Sequence, residues 1–267
     1  MKRSGIFITV ILALVVAATV GSFVYKTHES NVEPMSYCNV FDFVEGDIAV
    51  ACPDNLSRQD SFPLIVWGNG TGCNPALYSS LIDQFTDAGY IVVANNDCFG
   101  EDGVAEQKAL DAVLKLNDKK NSSIYHKIDT NKIAACGHSL GGKKSVNLAV
   151  RDERVKAVVS IVGNSETYES SKLRVPTLFF AGEEDNVVPK DEYVMPAYNA
   201  CISPSAYASL VHGQHSICMH EADIYSGYII SWFNAWLNDD KTELEAFSSV
   251  GTLANDNRWC DFQMKNF

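Results

Sequence analysis

Short apolar runs alternate with helical patterns along most of the chain, and this alternation constrains the fold more than any other feature. The apolar runs are FPLIVWG, YIVVANN, KIAACG, VKAVVSIVG, RVPTLFFAG and SAYASLVHG. Their continuous Val, Ile, Ala and Phe character is typical of strands that are buried on both faces. With helices between them, the runs predict an α/β fold with a mostly parallel sheet covered on both sides. Ligands bind beyond the carboxyl ends of such strands, so a site is expected in the residues just after them.

The helices of this fold are predicted from apolar residues at helical spacing. They cover NPALYSSLIDQFTDAG, GVAEQKALDAVLKLND, GKKSVNLAV and EADIYSGYIISWFNAWL. Ahead of the first buried strand, YCNVFDFV and GDIAVACP are interpreted as two short strands that pair antiparallel.

The composition is that of an acidic globular protein. The chain has 267 residues, 46% of them hydrophobic, and a formal net charge of −12. This length is enough for one large domain or two small ones with a substantial core. The negative charge argues against nucleic acid and against an anionic membrane surface as partners. We expect a monomer.

The N-terminus carries an apolar segment of a different kind. Lys2 and Arg3 precede residues 5–25, which contain no charged side chain. A basic start and a long apolar run are typical of an export signal, and the run is close to the length that spans a bilayer. Because the segment is terminal, a buried core helix is disfavoured. We predict a signal peptide or membrane anchor over 1–26, a linker over 27–36 and a folded domain over 37–267 outside the cytoplasm, whether secreted, periplasmic or anchored.

All eight cysteines follow that segment, which fits an oxidising compartment. Their even number is compatible with disulfides, although spacing does not give the connectivity. Cys38 with Cys52, and Cys73 with Cys98, are pairs that neighbouring strands would bring together. Cys136, on a buried strand, is expected to be a free thiol. No C-x-x-C pair occurs, so we expect no zinc site.

The segment Gly137-His138-Ser139-Leu140-Gly141 joins a predicted strand to a predicted helix. A nucleophile elbow needs this arrangement, because the turn is tight and the residues beside the serine must be small. The following helix N-terminus favours negative charge that develops at the serine. We therefore interpret Ser139 as a nucleophile rather than as part of a structural turn.

A serine nucleophile needs an imidazole base that a carboxylate orients, and in this fold the acid and then the histidine follow the serine. Asp185 follows the strand RVPTLFFAG, where a short acid suits a fixed hydrogen bond to imidazole; Glu184 is the alternative. His215 lies in the loop beyond SAYASLVHG, with the freedom to reach the serine; His212, at the strand end, is the alternative. The predicted triad is Ser139, His215 and Asp185.

An oxyanion hole needs two backbone N–H donors. The first is Leu140, directly after the nucleophile. The second is predicted to be Thr71, in the glycine-rich loop WGNGTGCNP, which lacks the Gly-Lys-Ser/Thr of a phosphate-binding loop. Four residues near these strand ends are expected to line the substrate pocket: Trp67, Asn69, Asn164 and Val187.

Taken together, PLIVWGNGTG, GYIVVANND, GHSLGG, VPTLFFAGEEDNVVP and SLVHGQHSI resemble α/β-hydrolases. The resemblance is to the branch of dienelactone hydrolase-like esterases and bacterial cutinases, or polyester hydrolases. It covers roughly residues 40–262 and includes ELEAFSSVGTLANDNRWCDF near the C-terminus. It implies a catalytic domain that hydrolyses carboxylic esters through an acyl-enzyme without a cofactor or metal. It also assigns Ser139, Asp185 and His215 to the triad, and Thr71 and Leu140 to the oxyanion hole.

The chain departs from that branch at two places. Polyester hydrolases usually carry a Trp after the strand that follows the elbow, where this chain has Asn164. They also often pair a cysteine before the terminal loop with one near the end, where this chain has Ser248 or Ser249, leaving Cys260 without that partner. Ester hydrolysis is therefore the expectation, and activity on aromatic polyesters is left open.

The connection over residues 161–175 is too short for a cap domain, so an open site that accepts small or polymer-borne esters is expected. Two alternatives remain. The same triad can act on another acyl bond, in a carbohydrate acetyl or feruloyl ester, a polyester or a peptide. The chain can also be a non-catalytic binding protein with a hydrolase fold.

Overall fold

A computed structural model describes residues 41–267, except residues 46, 58 and 60. The predicted signal or anchor segment, the linker and Cys38 lie outside the described residues. The strands are β1 (Phe43–Glu45), β2 (Ile48–Ala51), β3 (Phe62–Gly68), β4 (Ile91–Asn95), β5 (Ile128–His138), β6 (Val155–Ile161), β7 (Thr177–Gly182), β8 (Ser205–Leu210) and β9 (Trp259–Lys265). The helices are α1 (Ser79–Asp87), α2 (Val104–Asn117), α3 (Leu140–Arg151), α4 (Thr167–Ser170), α5 (Val194–Ala200), α6 (Asp223–Leu237) and α7 (Thr252–Asn255).

Within the described residues these strands form one sheet in the order β1-β2-β4-β3-β5-β6-β7-β8-β9. The strands from β4 to β8 are paired in parallel, while β1, β2 and β9 are antiparallel to their neighbours. The predicted α/β fold with a mostly parallel sheet is confirmed, as is the antiparallel pair at its start.

The sheet has an apolar core on each face, because alternate residues of its buried strands point to opposite sides. One core contains α1 and α6, which contribute Phe85 and Trp232 among others. The other contains α2, α3 and α5, with Leu110 and Val146 among its members. The strands from β3 to β8 therefore lie between two helical layers, one packed on each face of the sheet.

The connection from β6 to β7 carries only the four-residue helix α4, so it leaves no room for a cap domain. Along the stretch that the structure describes, no helix combines the length and the apolar character needed to cross a membrane.

Several elements differ from the sequence prediction. The first predicted helix starts later, at Ser79, because Asn74 caps a short 3₁₀ turn over Pro75–Tyr78. Leu77 lies in this turn and is exposed, although its spacing places it on the apolar face of a helix. The sequence also did not predict α5 or β9; in β9 only Trp259 is buried, and the other residues are half-buried or exposed.

Candidate active site

Ser139 lies in the sharp turn between β5 and α3. Its backbone has φ 58° and ψ −121°, a conformation that is strained for a residue with a side chain. The Ser139 N–H donates to the Ile161 carbonyl of the neighbouring strand at 2.9 Å, which holds the turn in place. A strained serine at the end of a parallel strand and the start of a helix has the geometry of a nucleophile elbow.

The elbow requires glycine at position 141 because the loop after β3 packs directly against it. A Cβ built on Gly141 would lie 1.9 Å from the Gly68 carbonyl oxygen, far inside van der Waals contact. The backbone of this loop therefore reaches the Ser139 turn without any intervening side chain.

His215 connects Ser139 to Asp185. Its Nε2 lies 2.9 Å from Ser139 Oγ, and its Nδ1 lies 2.7 Å from Asp185 Oδ2. An ionised carboxylate only accepts hydrogen bonds, so Nδ1 carries the proton and Nε2 is free to accept the serine proton. The three residues follow β5, β7 and β8, and the parallel pairing of the sheet brings them to one edge.

Asp185 is held rigidly as well as buried. Only 4% of the residue is exposed, and its Oδ1 accepts hydrogen bonds from the Val187 and Val188 N–H groups at 2.8 Å each. These two bonds leave Oδ2 pointing at the imidazole. The Glu184 N–H donates to the Gly213 carbonyl at 3.0 Å. The loop after β7, here called the acid loop, and the loop after β8, here called the histidine loop, are therefore also joined through their backbones.

The alternative acid and base, Glu184 and His212, contact each other at the surface. His212 Nδ1 is 2.7 Å from Glu184 Oε1, and both side chains are at least half exposed. The adjacent Glu184 carboxylate raises the pKa of His212. The alternative acid and the alternative base are therefore paired with each other at the surface.

The two predicted oxyanion donors are placed differently. Leu140 is the first residue of α3 and is buried, whereas Thr71 is exposed in the loop after β3. Among the described residues, no group accepts a hydrogen bond from either amide. An oxyanion hole requires amides that no protein group already accepts from, and the described residues meet this condition at both positions.

Two of the four residues expected in the pocket have no exposed surface. Trp67 is buried against Tyr78 and Phe85 in the core, with ring centroids 4.8 and 6.3 Å apart. Asn69 is also buried, and its amide donates to the Asn95 carbonyl at 2.6 Å. The structure does not support a substrate contact for either residue, because both side chains are committed to internal packing. Asn164 is half-buried and Val187 is 37% exposed, so both remain candidates for the pocket.

Two consecutive lysines follow the elbow in α3, and sequence reasoning did not single them out. Lys144 is fully buried and pairs with Glu106 at 3.3 Å, while its Nζ donates to the Asp97 carbonyl at 2.8 Å. Lys143 joins Glu101 and Glu166 at 2.7 and 3.1 Å. The lysines thus tie the loops after β4 and β6 to the helix that begins directly after Ser139.

In the described part of the chain, all seven cysteines are free, including Cys73 and Cys98, so the expected disulfide between these two is not formed. Across the same residues, no group of three or more His, Cys, Asp or Glu side chains is arranged to hold a metal ion.

His138 lies beside His215 and Tyr78 contacts His138, but the sequence analysis assigned no role to either residue. His138 is 2% exposed, and its ring lies 4.9 Å from that of His215, centroid to centroid. The position of His138 beside the serine was the available signal. Tyr78 gave no such signal, because its contact with His138 spans 60 residues of the chain.

A mostly parallel sheet with a strained serine elbow after one of its central strands defines an α/β-hydrolase. The sequence profile of the PETase family, described as PET hydrolase-like, matches residues 85–263. The chain belongs to this family. The match includes Ser139, Asp185 and His215, whereas Thr71 precedes it.

Individual relatives are distant. Cutinase 1 of Thermobifida cellulosilytica is 28% identical over 142 residues, which are 52% of this chain and 53% of the relative. The cutinase of Thermobifida fusca (strain YX) is 28% identical over 142 residues, covering 52% and 46%. Lipase 1 of Moraxella sp. (strain TA144) is 24% identical over 156 residues, covering 57% and 48%. The chain spans about half the length of these curated relatives, and its homology is to carboxylic ester hydrolases.

Proposed function

We propose that the protein is an exported serine hydrolase that cleaves carboxylic esters through an acyl-enzyme. The observation that carries the proposal is the hydrogen-bonded series Ser139–His215–Asp185 at the carboxyl edge of the sheet. Membership in the PET hydrolase-like family and homology to cutinases support the ester as substrate class.

In the first half of the reaction, Ser139 Oγ attacks the ester carbonyl carbon while His215 Nε2 takes the hydroxyl proton. Asp185 stabilises the imidazolium that forms. The carbonyl oxygen becomes an oxyanion, to which the Thr71 and Leu140 amides donate. The His215 proton then passes to the leaving alcohol, and the acyl group remains on Ser139.

In the second half, His215 takes a proton from water, which attacks the acyl-enzyme carbon. The bond to Ser139 Oγ breaks, the serine recovers its proton from His215, and the carboxylic acid leaves. All proton transfers run through one imidazole, so no cofactor or metal takes part in this scheme.

The purified full chain, assayed with p-nitrophenyl acetate and butyrate, tests the proposal. We expect turnover by the wild type, none by Ser139→Ala, and labelling of Ser139 by a fluorophosphonate. Equal rates for the two proteins would refute the proposal. Absence of labelling in a folded wild type would instead favour a non-catalytic binding protein.

A polymer-borne ester is a second candidate substrate. The absence of a cap between β6 and β7 and the exposed Val187 beside the acid loop favour an accessible site. Asn164, where the family resemblance expects a Trp, provides no large aromatic surface for an aromatic polyester. A panel of aliphatic polyester, aromatic polyester, acetylated xylan, feruloyl esters and a peptide substrate separates these possibilities.

Export and the monomeric state belong to the same proposal. They rest on the basic and apolar residues 1–26 and on the acidic composition. Cell fractionation with mass determination of the mature N-terminus tests export and distinguishes a cleaved signal from an anchor. Light scattering of the purified protein tests the monomer.

A further inference from the structure

His138 is a buried histidine held in a single tautomer. Its Nε2 lies 2.6 Å from the His215 backbone carbonyl oxygen, which can only accept, so Nε2 carries the proton. Its Nδ1 is 3.0 Å from the Tyr78 hydroxyl and accepts from it. Burial, followed by the nearby His215, lowers the pKa of His138 to about 3, which keeps the ring neutral.

Tyr78 extends this contact to the loop after β3. The Tyr78 hydroxyl accepts a hydrogen bond from the Gly70 N–H at 3.1 Å and donates one to His138 Nδ1. The hydroxyl therefore links the Gly70 backbone to the His138 ring. Its ring is 1% exposed and packs on Trp67. Gly70 directly precedes Thr71, whose amide is the proposed second oxyanion donor.

The hydrogen bonds run in one direction from Gly70 through Tyr78 and His138 to the His215 carbonyl. They join three segments that are far apart in the chain. These are the loop after β3 with Gly70 and Thr71 (the oxyanion loop), the turn at Ser139, and the histidine loop after β8. Each part of the proposed reaction depends on the spacing of these three loops, since a misplacement of about 1 Å is enough to slow an enzyme strongly.

We propose that His138 and Tyr78 are positioning residues that fix the distances among the oxyanion loop, Ser139 and His215. This inference rests on the proposed function, because it assigns roles within the same site. Neither residue exchanges a proton with substrate; both act through the backbone of Gly70 and His215.

The neutral state of His138 is part of this role. His215 becomes an imidazolium during the reaction, and a second cation 4.9 Å away would oppose that change. The titratable groups around His138 are Tyr78 at Nδ1, His215 beside the ring and Asp185 behind His215. Asp185 lies 2.7 Å from His215 Nδ1 and favours the imidazolium of His215.

Three variants separate the hydrogen bonds. In His138→Gln, the amide nitrogen reaches the Nε2 position and retains a donor to the His215 carbonyl. In His138→Asn, the shorter side chain places an amide group near the position of His138 Nδ1 and cannot reach the His215 carbonyl. Tyr78→Phe keeps the ring and removes the hydroxyl from both Gly70 and His138. Ile133→Val, in the buried part of β5, is the matched control for a small loss of stability.

We expect His138→Asn and Tyr78→Phe to lower kcat for p-nitrophenyl butyrate by about 10- to 100-fold, with KM within about threefold of the wild type. His138→Gln is expected to retain most of the wild-type kcat, because it keeps the donor to the His215 carbonyl. The double variant Tyr78→Phe/His138→Asn is expected to be little worse than either single variant, because both break the same series of bonds.

Retention of wild-type kcat by folded Tyr78→Phe would overturn the inference, even if His138→Asn fails to fold. Equal losses in His138→Gln and His138→Asn would also overturn it, since general packing does not distinguish which bond is kept. Wild type without turnover or Ser139 labelling would refute the proposed function instead, so the two failures are distinguishable.

Discussion

Replacing His138 with glutamine changes how the stability of the protein depends on pH. In the folded state burial lowers the pKa of His138 from 6.5 to about 3. In the unfolded chain this histidine titrates near 6.5. Below pH 6.5 the unfolded state therefore binds a proton that the folded state does not, so wild-type stability falls as the pH falls from about 6.5 towards 3. The glutamine side chain of the variant binds no proton in either state, so this dependence is removed.

The size of the effect follows from the two pKa values. Each pH unit between them changes the free energy of unfolding by about 1.4 kcal/mol. From pH 7 to pH 4.5 the His138 contribution is then a loss of about 2–3 kcal/mol in the wild type. Carboxylates and the other histidines titrate in both proteins, so they cancel when the two pH dependences are subtracted.

Urea unfolding followed by circular dichroism at pH 7 and pH 4.5 measures this difference. His138→Gln is expected to be less stable than wild type at pH 7, because it fits the site less well. At pH 4.5 the gap is expected to close by about 2–3 kcal/mol or to reverse. A gap that is the same at both pH values would show that His138 titrates normally in the folded protein, and would refute the account of its burial.

Three further predictions concern the site itself. Asp185→Asn leaves the fold intact and is expected to lower kcat by about 10⁴-fold, because the imidazole loses its correct tautomer; a loss below about tenfold would exclude Asp185 as the orienting acid. Gly141→Ala is expected to yield little folded, active protein, measured by fluorophosphonate labelling, because its Cβ would overlap the Gly68 carbonyl; normal labelling would contradict the packing of the elbow. Thr71→Pro removes an amide N–H and is expected to lower kcat by about 10²- to 10³-fold, whereas Thr71→Ala keeps the amide and is expected to be near wild type; similar losses in both would assign the role to the side chain.

The sequence predicts the fold well because its buried strands are continuous apolar runs. The prediction of a strand over 62–68 coincides with β3, and the predicted strands that follow coincide with β4 to β8 within a few residues. Strand β9 was missed because an edge strand is buried on only part of its surface and shows no such run. Helix α5 was missed because its seven residues are too few for a clear helical period.

Parts of the site are less accessible to sequence reasoning. Ser139, Asp185 and His215 follow strands in the order serine, acid, histidine that this fold uses. This order alone is enough to propose them as a triad. Trp67 was expected in the pocket for the same reason, yet its ring lies in the core. The direction in which a strand-end side chain points depends on the packing of helices from elsewhere in the chain, which local pattern does not contain.

The separation of the three proposed catalytic residues along the chain also affects how the protein regains activity after unfolding. Ser139 and His215 are 76 residues apart, and they meet only after β5, β6, β7 and β8 have paired in parallel. Parallel pairing over such distances is slow, because the entropy of closing long loops must be overcome before the contacts form. Helices form on a much shorter timescale. Recovery of the proposed ester hydrolysis on renaturation is therefore expected at the last stage of folding, later than the helical signal in circular dichroism. A destabilised variant that stays helical can still lack this activity.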